Sequence, residues 1–191
     1  MQENQIVDVS TAAGINAPIE KIDIPKWCFG ITEEEYLSCS PAHIAAGSTK
    51  TPNGKRVAIN VETIGGSLMV QHFVETLAKK DHLILDSDSD IFTPNGRTTV
   101  HVRWELTAKK IAEDRCELTT HVQSFATDEM RALLERQGIP FDLLRTQNHP
   151  IAQAHNDAET PLFAASIGRA ALRNWRPPFN LVISEAEHPP Q

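Results

Sequence analysis

The sequence predicts a single α+β domain in which a curved antiparallel β-sheet is covered by a long C-terminal helix. Between Lys55 and Phe125, apolar and polar residues alternate with a period of two, which is typical of strands with one buried face. Short turn-forming segments interrupt this alternation, and a helical region that ends near Trp175 follows it. No internal repeat or low-complexity linker divides the 191 residues, which suffice for one domain with a sizeable core.

The composition is that of an ordinary globular protein, with 40% hydrophobic and 23% charged residues. The net charge of −7 argues against nucleic-acid and anionic-membrane partners, because both require a concentrated basic surface. No membrane-spanning apolar stretch and no signal peptide are visible. Cys28, Cys39 and Cys116 form no Cys-x-x-Cys pair, so neither a disulfide scaffold nor a structural zinc site is expected. We therefore expect a cytoplasmic protein without a cofactor.

The elements before the sheet are short. Ile22–Ile31 mixes apolar and small residues and is predicted as a first strand. Thr32 and Glu35 form a capping box, in which each side chain bonds the other's backbone N–H, so a short helix is predicted to start there. His43–Ala46 is predicted as a second short helix.

The turns of the central segment are of the kinds that join antiparallel strands. They lie at Gly65-Gly66, Lys79-Lys80-Asp81, Pro94-Asn95-Gly96 and residues 109–114. Centring each hairpin on its turn predicts a row of paired residues on one face, which runs Ile59, His72, Ser87, Val102 and Thr120. The same face is predicted to carry Val57, Val61, Leu68, Val70, Val74, Leu83, Leu85, Ile91, Val100, Trp104, Leu106, Leu118 and Val122. The opposite face is predicted to be polar and solvated.

After the sheet, Asp128–Gln137 is predicted as a helix. Phe141–His149 is predicted to be irregular, and a long helical region follows it. Proline leaves two alternatives for that region: Thr160 caps a new helix with Pro161 in its first turn, or a longer helix from Pro150 is kinked at Pro161.

This order of elements resembles the helix-grip fold of the START-like superfamily, which includes polyketide cyclase-like proteins. The resemblance covers about Ile19 to Asn174 and rests on element order, since no diagnostic motif is present. It implies that the C-terminal helix lies across the concave sheet and encloses an apolar cavity. Small residues on that helix also favour unfilled space above the sheet, namely Ala164, Ala165, Ser166, Gly168, Ala170 and Ala171. A packed core without a cavity is the alternative.

The resulting domain organisation has three parts. Residues 1–18 are predicted to be a loosely ordered N-terminus, residues 19–176 the START-like domain, and residues 177–191 a C-terminal tail. Residues 128–149 depart from the usual pattern as an insertion before the final helix.

His72 is the candidate catalytic residue and the main candidate for ligand binding. The predicted register places it on the apolar face near the hydroxyls of Ser87 and Thr120, where a partly desolvated imidazole can act as acid or base or can bind a ligand. A buried histidine satisfied by a neighbouring hydroxyl is the alternative. The other residues predicted to line the ligand site are Ser87, Val102, Trp104, Thr120, Phe163 and Ile167.

On the polar face, the same registers align Gln71, Asp88, His101 and His121. Two imidazoles and a carboxylate can bind a metal ion, so Asp88, His101 and His121 form a weak alternative to the main expectation of no metal site. A surface pair between Asp88 and His101 explains the same pattern.

The predicted function is binding of a small apolar molecule, such as an aromatic, polyketide-like or lipid-like compound, between the sheet and the final helix. One alternative is a cofactor-independent cyclase, hydrolase or isomerase that uses His72 as acid or base. Another is a structural or interaction protein with a filled core, which includes a homodimer formed through an exposed edge strand.

Overall fold

A computed structural model describes residues 3–173 of the chain. The elements in chain order are β1 (Gln5–Ile15), a 3-10 turn (Ile19–Lys21), α1 (Ile24–Gly30), α2 (Glu33–Leu37), β2 (His43–Lys50), β3 (Arg56–Ile64), β4 (Ser67–Lys79), β5 (His82–Thr93), β6 (Gly96–Lys110), β7 (Cys116–Ala126), α3 (Asp128–Gln137) and α4 (Phe141–Leu172). The predicted tail at residues 177–191 and the predicted helix end near Trp175 lie outside the described residues.

The strands form one antiparallel sheet in the order β1-β7-β6-β5-β4-β3-β2. Strands β2 to β7 follow one another as a meander, and β1 joins the far side by pairing with β7. Helix α4 packs against β1 and β7, on the face that we call the inner face of the sheet. The predicted fold class, an α+β antiparallel sheet wrapped around a long C-terminal helix, is confirmed.

The core lies between the inner face and α4. Along β6, alternate residues are buried while their neighbours are more exposed, as expected for a strand with one covered face. The ring of Phe163 on α4 lies 5.8 Å from that of Trp104 and 5.3 Å from that of Trp27 on α1, measured between centroids. These aromatic contacts hold α1 and α4 onto the centre of the sheet.

The N-terminal third of the chain differs from the prediction. Residues 1–18 were expected to be loosely ordered, yet Gln5–Ile15 forms the edge strand β1, whose small residues conceal the alternation. The expected strand at Ile22–Ile31 is instead helix α1, which Asp23 caps by accepting a hydrogen bond from the Lys26 N–H. The expected helix at His43–Ala46 is the start of strand β2, where pairing with β3 decides the conformation.

The predicted register is correct for two hairpins and wrong for two. Ile59 pairs with His72 and Ser87 pairs with Val102, as predicted. Between β4 and β5, however, a β-bulge between Glu75 and Leu77 shifts the pairing.

Val70 then faces Asp90 and Val74 faces Asp86, so His72 lies opposite Asp88 rather than Ser87. The register therefore differs from the predicted one by an odd number of residues. As a result, the residues of β3 and β4 that were predicted to face solvent lie on the inner face instead. The predicted pair of Val102 and Thr120 is also wrong, since Thr120 pairs with Leu106. Here the register differs from the predicted one by an even number of residues, so Thr120 lies on the inner face as predicted.

The final helix is longer than predicted. Phe141–His149 was expected to be irregular but forms the first turns of α4, which continues through Pro150 and Pro161 to Leu172. The expected insertion at residues 128–149 thus consists of α3, a short connection and the start of α4. Within residues 3–173, no helix combines the length and the apolar character needed to cross a membrane.

Candidate functional site

A cavity of about 60 Å³ lies between α4 and the inner face of β3, β4, β6 and β7. Its apolar wall consists of Tyr36, Ile64, Phe73, Val102, Trp104, Val122 and Phe163. Its polar wall consists of Asn60, Glu62, Gln71, His155 and Glu159. The cavity therefore joins an aromatic and aliphatic lining to a few polar groups, which is the usual composition of a small-molecule site.

Two buried polar atoms in this lining have no hydrogen-bond partner among the described residues. They are the side-chain carbonyl oxygen Oε1 of Gln71 and the indole nitrogen Nε1 of Trp104. Buried polar groups are nearly always paired, and an unpaired one costs about 1–3 kcal/mol. The wall of the cavity thus contains one acceptor and one donor without partners among the described residues.

His43 lies next to the residues that line this cavity, and stacking on its ring together with contacts of both ring nitrogens fixes its orientation. The ring stacks on Tyr36 of α2, with centroids 3.7 Å apart, and its side chain is completely buried. Nδ1 lies 2.7 Å from the Tyr36 carbonyl oxygen and donates its proton there. Nε2 points the other way, 3.2 Å from Oε2 of Glu159 and 3.7 Å from Oε2 of Glu62.

His155 completes a buried cluster with the same two carboxylates. Its Nε2 lies 3.1 Å from Oε2 of Glu62 and 3.2 Å from Oε2 of Glu159. His155 and Glu159 are one helical turn apart on α4, and His43 and Glu62 pair across β2 and β3. One helix and two strands therefore converge on one point, which we call the His43 cluster (His43, Glu62, His155 and Glu159).

The charges in the His43 cluster shift the pKa values of its members. Burial disfavours the charged form of His155, but hydrogen bonds to Glu159 and Glu62 outweigh it and raise its pKa to about 10. Burial likewise opposes ionisation of Glu159, yet His155 and His43 hold its pKa below the ordinary value. Burial, together with the carboxylates of Glu62 and Glu159, raises the pKa of Tyr36. The His155 side chain is accordingly a donor at neutral pH, and Tyr36 keeps its proton.

The same four residues have the side-chain atoms needed to hold a metal ion. One ligand atom from each lies within 4.8 Å of all the others, and in the described part of the chain this is where three or more such residues gather. The cysteines offer no comparable site. Burial raises the pKa of the Cys28 thiol to about 12 and that of Cys39 to about 11, which keeps both protonated.

His72 does not reach the cavity. Its side chain is exposed on the outer face of β4, because the bulge places Gln71 and Phe73 on the inner face instead. Its backbone N–H donates to the Ser87 hydroxyl at 2.9 Å, which is the remaining link between the two residues. The predicted position of the candidate catalytic residue was therefore wrong.

The other predicted site residues divide into two groups. Val102, Trp104 and Phe163 line the cavity, and their binding of a ligand stays a prediction. Ser87, Thr120 and Ile167 are buried, but they do not line it.

Thr120 instead belongs to a polar contact between β7 and α4. Its hydroxyl hydrogen-bonds Oδ1 of Asn156 at 2.9 Å and also bonds the Thr160 hydroxyl. Ile167 packs in the core and borders a second cleft.

The expected alternative metal site does not assemble. His101 Nδ1 lies 2.8 Å from Oδ1 of Asp88, which is the predicted surface pair. His121, however, contacts Asp8 at 2.7 Å and pairs across the strands with Glu105, four residues along β6 from His101. These three side chains form separate surface pairs.

A second cleft of about 250 Å³ lies between α1 and the end of α4. About half of its lining residues are charged, among them Lys21, Lys26, Lys80 and Arg173, and Glu35 and Arg169 of the lining form an ion pair. We take the smaller inner cavity as the candidate site because two polar atoms of its lining, Oε1 of Gln71 and Nε1 of Trp104, are buried without a partner among the described residues.

Sequence reasoning missed the His43 cluster for identifiable reasons. The i, i+4 spacing of His155 and Glu159 on a helix was a usable signal, because it places both side chains on one face. His43 was assigned to a helix and Glu62 to the solvated face, so the strand pairing that joins them could not be inferred.

Several solved structures share this fold. The Zhui aromatase/cyclase from Streptomyces sp. R1128 superposes with a TM-score of 0.58 at 13% sequence identity, covering 85% of this chain and 92% of that one. The di-domain ARO/CYC StfQ from the steffimycin biosynthetic pathway gives 0.56 at 12% identity, covering 87% of this chain and 52% of that one. A protein from Thermus thermophilus gives 0.52 at 11% identity, covering 86% of this chain and 97% of that one.

These similarities establish the fold. The chain has a START-like, helix-grip fold, and the predicted resemblance is confirmed at that level. No protein-family model matches the chain, and no curated protein matches it.

Proposed function

We propose that the protein binds a compact, mainly apolar molecule in the inner cavity, and that this molecule carries one hydrogen-bond acceptor and one donor. The observation that supports this most directly is the pair of unpartnered atoms, Oε1 of Gln71 and Nε1 of Trp104, in the lining. A ligand that paired with both would remove two desolvation costs at once. The aromatic and aliphatic side chains around them favour a flat or ring-shaped body.

The size of the cavity limits the ligand. Its volume of about 60 Å³ is well below the roughly 300–1,000 Å³ of sites for drug-sized molecules. We therefore propose a single-ring compound rather than a polyketide-sized or lipid-sized one. The aromatase/cyclases with the same fold support a ring-containing ligand. The proposal involves binding alone, since the acid–base role was assigned to His72, whose side chain lies on the outer face.

The compartment is also part of the proposal. All three cysteines are free and buried. Unpaired thiols are typical of the reducing cytoplasm, which supports the expected location.

A titration with phenol and with benzyl alcohol, which are single-ring compounds whose hydroxyl both donates and accepts, tests the binding. Each compound is added to the full chain while tryptophan fluorescence and the unfolding temperature are measured. Saturable binding with a rise in unfolding temperature is expected, because a ligand that binds only the folded state stabilises it.

The variant Gln71→Met keeps the volume of the side chain but removes the free acceptor, so it should bind at least about tenfold more weakly, as expected for a lost hydrogen bond of about 1.4 kcal/mol. Gln123→Met, on the outer side of β7, is the matched control and should bind like the wild type. Equal affinity of Gln71→Met and wild type for both compounds would contradict the proposal.

A further inference from the structure

We propose that the His43 cluster binds one divalent transition-metal ion of the zinc type, in a site next to the inner cavity, whose polar wall includes three members of the cluster, Glu62, His155 and Glu159. The four atoms Nε2 of His43, Oε2 of Glu62, Nε2 of His155 and Oε2 of Glu159 converge on one point. The nitrogen–oxygen distances between them are 3.1, 3.2, 3.2 and 3.7 Å. In a tetrahedral zinc site with bonds of about 2.0–2.2 Å, ligand atoms lie about 3.3–3.6 Å apart. Three of the four distances are slightly shorter than this range and one is slightly longer, and all four ligand atoms lie within 4.8 Å of one another, so small shifts of the side chains would accommodate a tetrahedral ion at the centre.

The ligand types select the kind of ion. Imidazole nitrogen with carboxylate oxygen is a donor set for zinc and neighbouring first-row metals. Calcium and magnesium prefer oxygen ligands throughout and usually a higher coordination number. The two carboxylates carry two negative charges, so one divalent ion that displaces the His155 proton to solvent and binds two neutral imidazoles gives a neutral buried site.

The surroundings of His43 orient it as a metal ligand. Its Nδ1–H donates to the Tyr36 carbonyl oxygen at 2.7 Å, which leaves Nε2 directed at the centre of the cluster. Metal-binding histidines almost always make such a bond with their second nitrogen. The stacking of Tyr36 on the His43 ring fixes the ring plane as well. These contacts are made between protein groups and hold the ring of His43 in the orientation that a metal ligand needs.

A network of ion pairs alone is the competing explanation. Both imidazoles approach the same oxygen of each carboxylate, Oε2 of Glu62 and Oε2 of Glu159. The His43 Nδ1–H is already donated to the Tyr36 carbonyl oxygen, so in the neutral ring Nε2 carries a lone pair that faces carboxylate oxygens. A central ion would bind this nitrogen and the oxygens together, whereas ion pairs alone would require a proton on Nε2.

The test uses the full chain after removal of metal with a chelator. Zn²⁺ alone is added, and native mass spectrometry counts the bound ions while calorimetry measures the affinity. One ion per chain is expected, with a rise in unfolding temperature. Loss of a residue that only orients a metal ligand weakens binding about 10–100-fold, so His155→Gln, which removes a ligand itself, should weaken it by at least about 100-fold.

The matched control is His121→Gln. His121 also contacts two carboxylates, Asp8 and Glu105, but on the surface, so its loss should leave Zn²⁺ affinity unchanged. Absence of a bound ion in the wild type would overturn the proposal, as would binding that His121→Gln abolishes and His155→Gln does not.

X-ray absorption of the Zn²⁺-loaded wild type provides a readout that does not depend on any variant folding. Two imidazole ligands and two oxygen ligands are expected, and sulfur ligation would overturn the site. The titrations with phenol and benzyl alcohol are separate measurements, so failure of the ion site and failure of the proposed cavity ligand can be told apart.

Discussion

The unpaired side-chain oxygen of Gln71 predicts how a substitution at this position changes stability. The change distinguishes a residue that serves ligand binding from one that stabilises the fold. Gln71 lies on β4 with 4% of its surface exposed, and its Oε1 accepts no hydrogen bond from any described residue. Replacing a residue that is retained for stability should make the protein less stable. Gln71→Met should instead make the protein more stable, because methionine has a similar shape and no polar group to desolvate.

The expected gain follows from the cost of a buried unpaired acceptor, about 1–3 kcal/mol. Methionine at this position also adds apolar contact with the aromatic lining, whereas the contacts of the amide group are lost. We therefore expect a net gain of about 1 kcal/mol in the free energy of unfolding. For a chain of this size, that corresponds to a rise of about 2–4 °C in the unfolding temperature.

Urea denaturation, followed by circular dichroism, measures this change as a shift in midpoint at constant slope. Gln123→Met is the control, since the Gln123 side chain donates to Asp8 at 3.2 Å on the outer face. Its stability should change by no more than about 0.5 kcal/mol. A loss of about 1 kcal/mol or more in Gln71→Met would refute the reasoning, because it would mean that the Gln71 amide is satisfied in the folded protein.

Three further predictions concern the fold. Glu75→Gln should lower the free energy of unfolding at pH 7 by about 1 kcal/mol, because burial alone would raise the Glu75 pKa but hydrogen bonds from Arg56 hold it below the ordinary value. A carboxyl group with a lowered pKa stabilises the fold above the unfolded value of 4.5, so the difference between the urea midpoints of variant and wild type should disappear as the pH falls through and below 4.5. Phe163→Ala should cost about 3–5 kcal/mol in denaturant melts, since its ring is 2% exposed, and a loss under about 1 kcal/mol would contradict its place in the core. Gly138→Ala should cost about 1–2 kcal/mol in thermal unfolding, because Gly138 ends α3 with φ of 65°, whereas Gly47→Ala, which meets no atom within 4 Å, should be neutral.

The sequence-based prediction succeeded where turns and alternation agreed over adjacent strands. The pairing of Ser87 with Val102 follows from a short turn at Asn95-Gly96, and the inner-face positions of Trp104 and Leu85 follow from it. Thr120 was placed on the inner face despite a wrong partner, since strand faces repeat every two residues and the slip was even.

The prediction failed where the conformation depends on contacts between residues far apart in the sequence or on an irregularity in strand pairing. The bulge between Glu75 and Leu77 has no sequence signal, because neither glycine nor proline marks it, and it reversed the faces assigned to β3 and β4. The exposed His72 and the buried Gln71 are the direct result. The candidate site depended on those two strands, so most of its polar wall could not be predicted.

Helix α4 shows the opposite effect, in which packing overrides local preference. Proline lacks the N–H that an α-helix uses within its interior, and Pro150 and Pro161 were therefore expected to end or kink a helix. Burial of Phe163 and Ile167 against the sheet maintains the helix across both positions. Side-chain bonds assist locally, as when the Thr160 hydroxyl donates to the Asn156 carbonyl oxygen at 2.7 Å.

The pairing of β1 with β7 affects how the chain folds while it is being synthesised. Asp8 and His121, which meet across these strands, are 113 positions apart, so the ribosome releases the first strand long before its partner exists. During that interval Val7 and Val9 have no sheet to join, and an unpaired apolar strand is a site for association with other chains. Closure over so many residues is also slow. The apolar side of β1 therefore stays uncovered until residues 116–126 have been synthesised and can pair with it.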